Sequence, residues 1–359
     1  MPMIEMKKRM RGSKEGEVKK EFVLLTNVAR KTGWHEQGEA GDGEIMRVIF
    51  MGTPEFSVGT LESLIEAGHE IVLVVTQPDR PKGRGKEIQI TPIKRVALNH
   101  HIPVFQPIKL REPDAIRQLR KYPADVMVVV AFGQILPKPV LEMTRYGCIN
   151  VHASLLPAYR GAAPIQWAII NGESVTGITT MRMDEGLDTG DMILKEEVVI
   201  TSEETGASLH DKLAKVGASL LVETLRTIEE GNAIYEKQGE SPTSYASMLK
   251  KEMGRIDWKK SAVEIERLVR GLNSWPGAYS LWGDKKLLIW RAKPVSEPTC
   301  EKGERLLPGE IIKVDKKTVM IKTGMGCLEI VEIQIPGKKR MTIEEFLRGN
   351  RLEVGIVLK

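Results

Sequence analysis

Met46-Arg47-Val48-Ile49-Phe50-Met51-Gly52-Thr53-Pro54-Glu55 reads as a short strand, apolar from Val48 to Met51, that breaks into a turn. A continuous apolar run bounded by turn residues suits a strand buried on both faces, as in a parallel sheet. Similar runs follow over 71–76, 126–131, 148–152 and 178–183. Helical patterns lie between and after them, at 57–67, 114–121, 164–171 and, longer, 205–230. Such strands alternating with helices predict an α/β domain, a Rossmann-like, mostly parallel sheet with helices on both faces. The turn after the first strand lacks the Gly-x-Gly-x-x-Gly fingerprint, and Glu55 would repel a pyrophosphate. The phosphate-cradling loop Gly-x-x-x-x-Gly-Lys-[Ser/Thr] is missing as well. Nicotinamide, flavin and nucleoside-triphosphate chemistry are therefore not expected.

Working outward, residues 231–243 hold Gly231, Gly239, Ser241 and Pro242 and read as a linker. Beyond it an amphipathic helix over 261–273 precedes short strands at 278–282, 286–292, 309–314, 318–322 and 328–334, separated by turn signals such as Gly283-Asp284. That spacing predicts a small antiparallel β-barrel, OB-like in scale. Residues 1–45 are Lys/Glu-rich without a clear amphipathic period and are expected to be disordered, with Met46 a candidate start of the native protein. The expected organisation is an extension at 1–45, a catalytic domain at 46–231, a linker at 232–252 and a C-terminal barrel at 253–359.

A hydrophobic content of 42% and a charged content of 28% are those of a globular protein with a sizeable core. No apolar run approaches the roughly 20 residues that span a bilayer. Cys148, Cys300 and Cys327 are isolated, which argues against a disulfide framework and a thiolate metal site and favours a cytoplasmic setting. His35, His69, His100, His101 and His210 lack metal-ligand spacing, so no metal is expected.

The chemistry is expected in Gly147-Cys148-Ile149-Asn150-Val151-His152-Ala153-Ser154-Leu155-Leu156-Pro157 and in the acidic glycine loop Asp184-Glu185-Gly186-Leu187-Asp188-Thr189-Gly190. Side chains alternate along a strand, so Asn150 and His152 share one face and Ile149 and Val151 the other. Two polar side chains at the end of an apolar strand need partners or a task. Imidazole titrates near neutrality and suits proton transfer. The Asn150 amide can hold a developing oxyanion, and Asp188 can fix the imidazole and stabilise its charged form. The competing reading is a structural histidine at a strand end. Asn150 on the same face and the acidic loop behind it favour the catalytic reading, of a site that moves an acyl group onto an amine.

Charge is uneven. Residues 253–359 carry 21 basic against 14 acidic side chains, whereas 46–252 carry 23 against 26. A basic C-terminal third suits an anionic partner. The loop Gln77-Pro78-Asp79-Arg80-Pro81-Lys82-Gly83-Arg84-Gly85-Lys86 follows the second strand, where α/β sheets bind ligands. Its composition predicts no regular structure, and its cations suit a phosphate backbone. Trp258, Trp275, Trp282 and Trp290 suit core packing first and base stacking second.

From Met46 to the C-terminus these motifs resemble those of the methionyl-tRNA formyltransferases. The resemblance rests on Phe50-Met51-Gly52-Thr53-Pro54-Glu55-Phe56, the basic loop, Val128-Val129-Val130-Ala131-Phe132-Gly133, Asn150 to Pro157, Tyr159-Arg160-Gly161-Ala162-Ala163-Pro164-Ile165-Gln166, the loop 184–191, Arg255-Ile256-Asp257-Trp258 and Pro336-Gly337-Lys338-Lys339-Arg340-Met341. Trp167 departs from the polar or basic residue more usual there. The Asn, His, Ser-Leu-Leu-Pro and Asp pieces are shared with every 10-formyltetrahydrofolate transferase and hydrolase and speak of the donor. The Arg160 run, the basic loop and the barrel are closer to the tRNA enzymes. The resemblance implies Asn150, His152 and Asp188 as the catalytic trio and Ser154, Leu155, Leu156 and Pro157 as the lining of the tetrahydrofolate site. It implies Arg84, with Lys82 and Lys86, against the tRNA acceptor end, and Lys338, Lys339 and Arg340 on the tRNA-facing surface. The implied reaction is formyl transfer from 10-formyltetrahydrofolate to methionyl-initiator tRNA. The protein is expected to be a monomer, without a metal and not bound to a membrane. The alternatives are a transferase or hydrolase with another acceptor (glycinamide ribonucleotide, an amino sugar, water) or a non-catalytic RNA-binding protein.

Overall fold

The structure, a computed structural model, describes residues 45–82, 87–296 and 306–359. The extension expected at 1–45 lies outside them but for Ile45, and Arg84, Lys86, Cys300 and the side chain of Lys82 lie wholly outside.

The apolar runs form strands β1 (Arg47–Gly52), β2 (Glu70–Val75), β6 (Val126–Val130), β7 (Cys148–His152) and β8 (Val175–Arg182). Two very short strands, β3 (Arg80–Lys82) and β4 (Glu87–Gln89), pair with each other, and β5 (Val104–Phe105) and β9 (Asp191–Val199) complete a seven-stranded sheet in the order β5-β2-β1-β6-β7-β8-β9. Pairing is parallel from β5 to β7 and antiparallel from β7 to β9. The chain winds outward one way from β1 to β5 and the other way from β6, so a switch point lies between β1 and β6. Ligands of open α/β sheets bind outside the carboxyl ends of strands at such a point.

Helices cover both faces, as the absence of polar alternation in the strands requires. Val48, Phe50, Val128, Ile149 and Val151 pack under Leu61 and Leu64 of α1 (Val58–Glu66) and under Leu209, Leu213 and Leu221 further along the chain. On the other face, Ile49, Met51, Met127, Val129 and Cys148 meet Leu110, Leu119 and Val140. Each fully buried aliphatic side chain stabilises this arrangement by about 1.5–3 kcal/mol. The remaining helices of this part are α2 (Pro92–Asn99), α3 (Pro113–Leu119), α4 (Lys138–Leu141), α5 (Pro164–Asn171) and α6 (Gly206–Glu229).

Some elements differ from expectation. The basic loop is not wholly irregular, because Arg80–Lys82 pairs with Glu87–Gln89 and each strand satisfies the other's backbone groups. Its base is held by a network in which Lys94 of α2 pairs with Asp79 and donates to Gln106 Oε1 at 2.7 Å. β9, α2 and a late helix were not anticipated.

The C-terminal part starts with α7 (Ala262–Gly271), capped by Ser261 and Glu264 in a reciprocal box. Strands β10 (Ala278–Trp282), β11 (Lys285–Val295), β12 (Ile311–Val314), β13 (Val319–Lys322), β14 (Cys327–Gln334) and β15 (Met341–Thr342) form an antiparallel sheet in the order β10-β11-β14-β13-β12, with β15 on β14. Helix α8 (Ile343–Gly349) follows. The last residues join the two edges: Lys359 exchanges backbone hydrogen bonds with Leu281, and Leu358 N–H donates to Gly309 C=O at 2.8 Å. The result is a curled sheet around Trp258, Ile289, Ile321, Ile330 and Phe346 with its edge strands covered. Gly271 sits so close to α5 that a Cβ there would lie 2.6 Å from Ile170.

Candidate active site

β7 ends at the carboxyl edge of the sheet and carries Asn150 and His152 on one face, as strand alternation requires. They are 8% and 6% exposed, while Ile149 and Val151 enter the opposite core. Register puts Asn150 beside Met181 and His152 beside Thr179 of β8. His152 Nε2 lies 3.1 Å from the main-chain carbonyl of Tyr159. A carbonyl only accepts, so this partner assigns the proton to Nε2 and leaves Nδ1 for the cleft. There Nδ1 faces Asp188 Oδ1 at 3.8 Å, ion-pair range but beyond a direct hydrogen bond. Among the described residues the carboxamide of Asn150 makes no side-chain hydrogen bond, and its polar atoms keep access to solvent.

Two backbone features aim these groups. Asp188 and Tyr159 both adopt left-handed conformations, φ 55° and 56°, which are uncommon outside glycine. Conformations of this kind persist where surrounding contacts enforce them. Asp188 Oδ2 accepts from the Gly161 N–H at 2.9 Å, and the Asp188 carbonyl accepts from Gln238 Nε2 at 3.0 Å. The Tyr159 phenol donates to Glu173 Oε1 at 2.6 Å and accepts from Asn171. Burial, with that acidic partner, pushes its pKa up to about 12. Tyr245 packs its ring over Gly161, and burial followed by the nearby Asp188 carboxylate raises its pKa.

The loop after β7 has an inward and an outward half. Ser154 Oγ donates to the Ala158 carbonyl at 2.7 Å, and Leu156 packs against Met181 and Met192. Leu155 and Pro157 stay half-buried and present surface. Cys148 is sealed within the core, which pushes its thiol up to about 12 and leaves it unreactive.

At the other end of the chain, Lys338, Lys339 and Arg340 are exposed on the turn between β14 and β15. Arg340 pairs with Glu332 and lies 5.4 Å from the centre of the Trp290 ring. Trp258 is buried, its Nε1 donating to Ser280 Oγ, whereas Trp275 is 54% exposed and Trp282 and Trp290 are half-buried. Among the described residues no group of His, Cys, Asp and Glu could hold a metal ion. In the same residues no helix is long and apolar enough to cross a membrane.

Residues 46–225 match the formyl transferase family model and residues 248–351 that of the formyl transferase C-terminal domain. The methionyl-tRNA formyltransferase of Agathobacter rectalis is 58% identical over 310 residues, 86% of this chain and 98% of that protein. The chain belongs to the methionyl-tRNA formyltransferase family. The fold agrees with that of other formyltransferases. The N-formyltransferase of Helicobacter canadensis, solved with folinic acid and dTDP-3-aminofucose, superposes with a TM-score of 0.60 at 20% identity, covering 80% of this chain and 98% of its own. HypX of Aquifex aeolicus, solved with tetrahydrofolic acid, gives a TM-score of 0.57 at 20% identity over 87% of this chain and 51% of its own.

Sequence reasoning missed Tyr159, Gly161, Gln238 and Tyr245 as parts of this candidate site. Tyr159 and Gly161 act through main-chain groups, which leave no mark in the residue pattern. The glycine at 161 was the one available signal, since its close approach to Ala246 and its φ of 128° need a residue without a side chain. Trp167, out of pattern in sequence, is half-buried and donates from Nε1 to the Ser247 carbonyl at 2.9 Å.

Proposed function

We propose that this chain transfers the formyl group of 10-formyltetrahydrofolate to the α-amine of methionyl-initiator tRNA, giving N-formylmethionyl-tRNA and tetrahydrofolate. The observation that carries this reading is the 58% identity along 98% of a methionyl-tRNA formyltransferase, a match that extends through the basic C-terminal part. Acceptors as small as an amino sugar need no such part.

The site chemistry fits. The acceptor amine, with a reference pKa of about 7.7–8.0, is partly neutral near pH 7–8 and attacks the formyl carbon. The carbonyl oxygen turns negative. The Asn150 amide, free of protein partners among the described residues, and the imidazolium Nδ1–H of His152 donate to it. Asp188 is the carboxylate within reach. It takes the proton that the attacking nitrogen must lose, and that proton passes on to N10 of the folate as its bond to the formyl carbon breaks, which returns Asp188 to the carboxylate. No covalent enzyme intermediate is needed. Much of the acceleration comes from placing two large substrates, since well-oriented groups reach effective molarities of about 10⁵–10⁸ M.

Leu155 and Pro157 supply apolar surface for the folate, with Ser154 and Leu156 shaping the loop from inside. The basic loop, with Arg84, Lys82 and Lys86, and the turn carrying Lys338, Lys339 and Arg340 supply the cations for the tRNA backbone. We divide the chain into a catalytic part at 46–231, a linker at 232–252 and a tRNA-binding barrel at 253–359, a reading that the two separate cores support. We read the protein as a cytoplasmic monomer, because a charged tRNA and a reduced folate meet in that compartment. Gel filtration against its mass of 40.1 kDa tests the monomer.

One assay tests the function. Protein, labelled 10-formyltetrahydrofolate and one acceptor are incubated together: charged initiator tRNA, charged elongator tRNA, glycinamide ribonucleotide or an amino-sugar nucleotide. Label is expected on charged initiator tRNA. Label on a small acceptor alone, or its release as formate with every acceptor, overturns the reading.

A further inference from the structure

The segment between the two cores is no slack tether. Glu236 exchanges backbone hydrogen bonds with Met192 of β9, both 2.8 Å. Thr243 Oγ1 accepts from the Tyr159 N–H at 2.7 Å. The Ala246 N–H donates to the Arg160 carbonyl, and the Ala246 carbonyl accepts from Ala162 and Ala163. Gly161 is pressed so close that a Cβ there would lie 2.6 Å from both the Ala246 oxygen and the Tyr245 ring. The segment is a strap laid over the two loops that touch His152.

Gln238 is its central fastening. Its Nε2 donates to the carbonyls of Asp188 at 3.0 Å and Gly190 at 2.7 Å. Its Oε1 accepts from Arg160 Nε at 2.9 Å and Nη2 at 2.8 Å. These bonds use both N–H groups and both lone pairs of a primary amide. Arg160 lies between Tyr159, whose carbonyl holds His152 Nε2, and Gly161, whose N–H holds Asp188 Oδ2. One half-buried side chain therefore ties the loop carrying Asp188 to the loop that orients His152.

We propose that Gln238 is a positioning residue for formyl transfer, holding Asp188 in its left-handed conformation with its carboxylate toward His152 Nδ1. The inference rests on the reading of Asp188 as the catalytic carboxylate. A main-chain carbonyl needs a donor, and among the described residues only the amide of Gln238 donates to that of Asp188. Release of that carbonyl frees the backbone at φ 55° to relax, and the carboxylate swings with it. The strap leads directly into the C-terminal part, so seating of the acceptor there and alignment of Asp188 share one covalent element.

The test compares parent, Gln238→Glu, Gln238→Ala and Asp188→Asn. Glutamate keeps the oxygens that Arg160 needs and loses the donors that Asp188 and Gly190 need, so the loop connection is cut while the fold stays anchored. Rates are measured well below each variant's Tm. Gln238→Glu and Gln238→Ala are expected to lose about 10–100-fold in kcat, the scale of a misplaced catalytic group. KM for both substrates should stay within about threefold, which marks an interaction used in the transition state. The pH–rate profile of both variants should take the shape of the Asp188→Asn profile. Parental kcat in Gln238→Glu beside an inactive Asp188→Asn overturns this inference alone. So does a loss lying wholly in KM, or a parental pH profile. Parental activity in Asp188→Asn overturns the catalytic reading of Asp188 and this inference with it.

Discussion

The ring of His152 is gripped at Nε2 by the carbonyl of Tyr159, 3.1 Å away, which turns Nδ1 toward Asp188. The direction in which Nδ1 of the imidazole points is thus set by a main-chain atom, and the carboxylate opposite it is the one charge facing that nitrogen at ion-pair range among the described residues. Asp188→Asn removes the charge and little else. Asparagine tolerates the left-handed backbone at this position and keeps an oxygen for the Gly161 N–H. The variant is expected to lose about 10²–10⁴-fold in kcat, the range of a general acid–base contribution. Affinity for tRNA should be unchanged. Filter binding and single-turnover formylation measure the two separately, and poor tRNA binding with normal turnover contradicts the assignment.

Asn150 gives the complementary case. Its amide has no side-chain hydrogen bond to lose among the described residues, so Asn150→Ala strands no buried partner. Its Tm should therefore stay close to that of the parent. The rate should fall about 10²–10³-fold, as when one oxyanion donor is removed. A large drop in Tm with modest kinetic loss marks Asn150 as structural instead.

How far the sequence carried the reading depends on where each signal is written. The strands β1, β2, β6 and β7 are legible because burial on both faces demands unbroken apolar runs. β9 is an edge strand whose Lys195-Glu196-Glu197 faces solvent, and charge of that kind hides an edge strand in sequence. For α2 and α8 the signals were present: Thr91 caps before Pro92, and Thr342 and Glu345 form a capping box. Alternation put Asn150 and His152 on one face. Nothing local says that Asp188 arrives beside them, because that approach depends on the β8–β9 turn and on Gly161. The strap read as a linker because Gly, Ser and Pro report a lack of regular structure and not where the chain lies. Its hydrogen bonds are tertiary.

Tyr159 carries a pH signature of its own. Its phenol is buried and donates to Glu173, which lifts its pKa from 10 to about 12. The unfolded chain ionises this phenol near pH 10 and the folded chain does not. The contribution is complete below pH 10 and is lost as pH rises from 10 toward 12, with a slope of up to about 1.4 kcal/mol per pH unit. Tyr159→Phe abolishes that component. Urea unfolding from pH 8 to 11 should show the gap between parent and variant narrowing above pH 10. At neutral pH the variant should be less stable by about 1 kcal/mol, one net hydrogen bond. Its kcat should be near parental, since the carbonyl that holds His152 belongs to the main chain. A gap that stays constant to pH 11 refutes the assignment.

The turn between β14 and β15 separates charge that is free to meet a polyanion from charge already engaged. Arg340 pairs with Glu332 and lies beside the Trp290 ring, while Lys338 and Lys339 stand exposed next to it. A cation already paired releases fewer counterions when a phosphate arrives, so the lysines should carry the salt dependence. Each phosphate contact contributes about −0.9 to the slope of log K against log salt on duplex. Lys338→Ala with Lys339→Ala should therefore flatten the measured slope by about 1–2 and weaken tRNA binding across sequences. kcat at saturating tRNA should stay near parental, because among the described residues neither lysine bonds to Asn150, His152 or Asp188. Arg340→Ala should flatten the slope less and lower Tm more, since it uncovers Trp290 and leaves Glu332, among the described residues, with Arg291 alone, 3.5 Å away. Equal slopes in parent and double variant would remove this turn from the tRNA path.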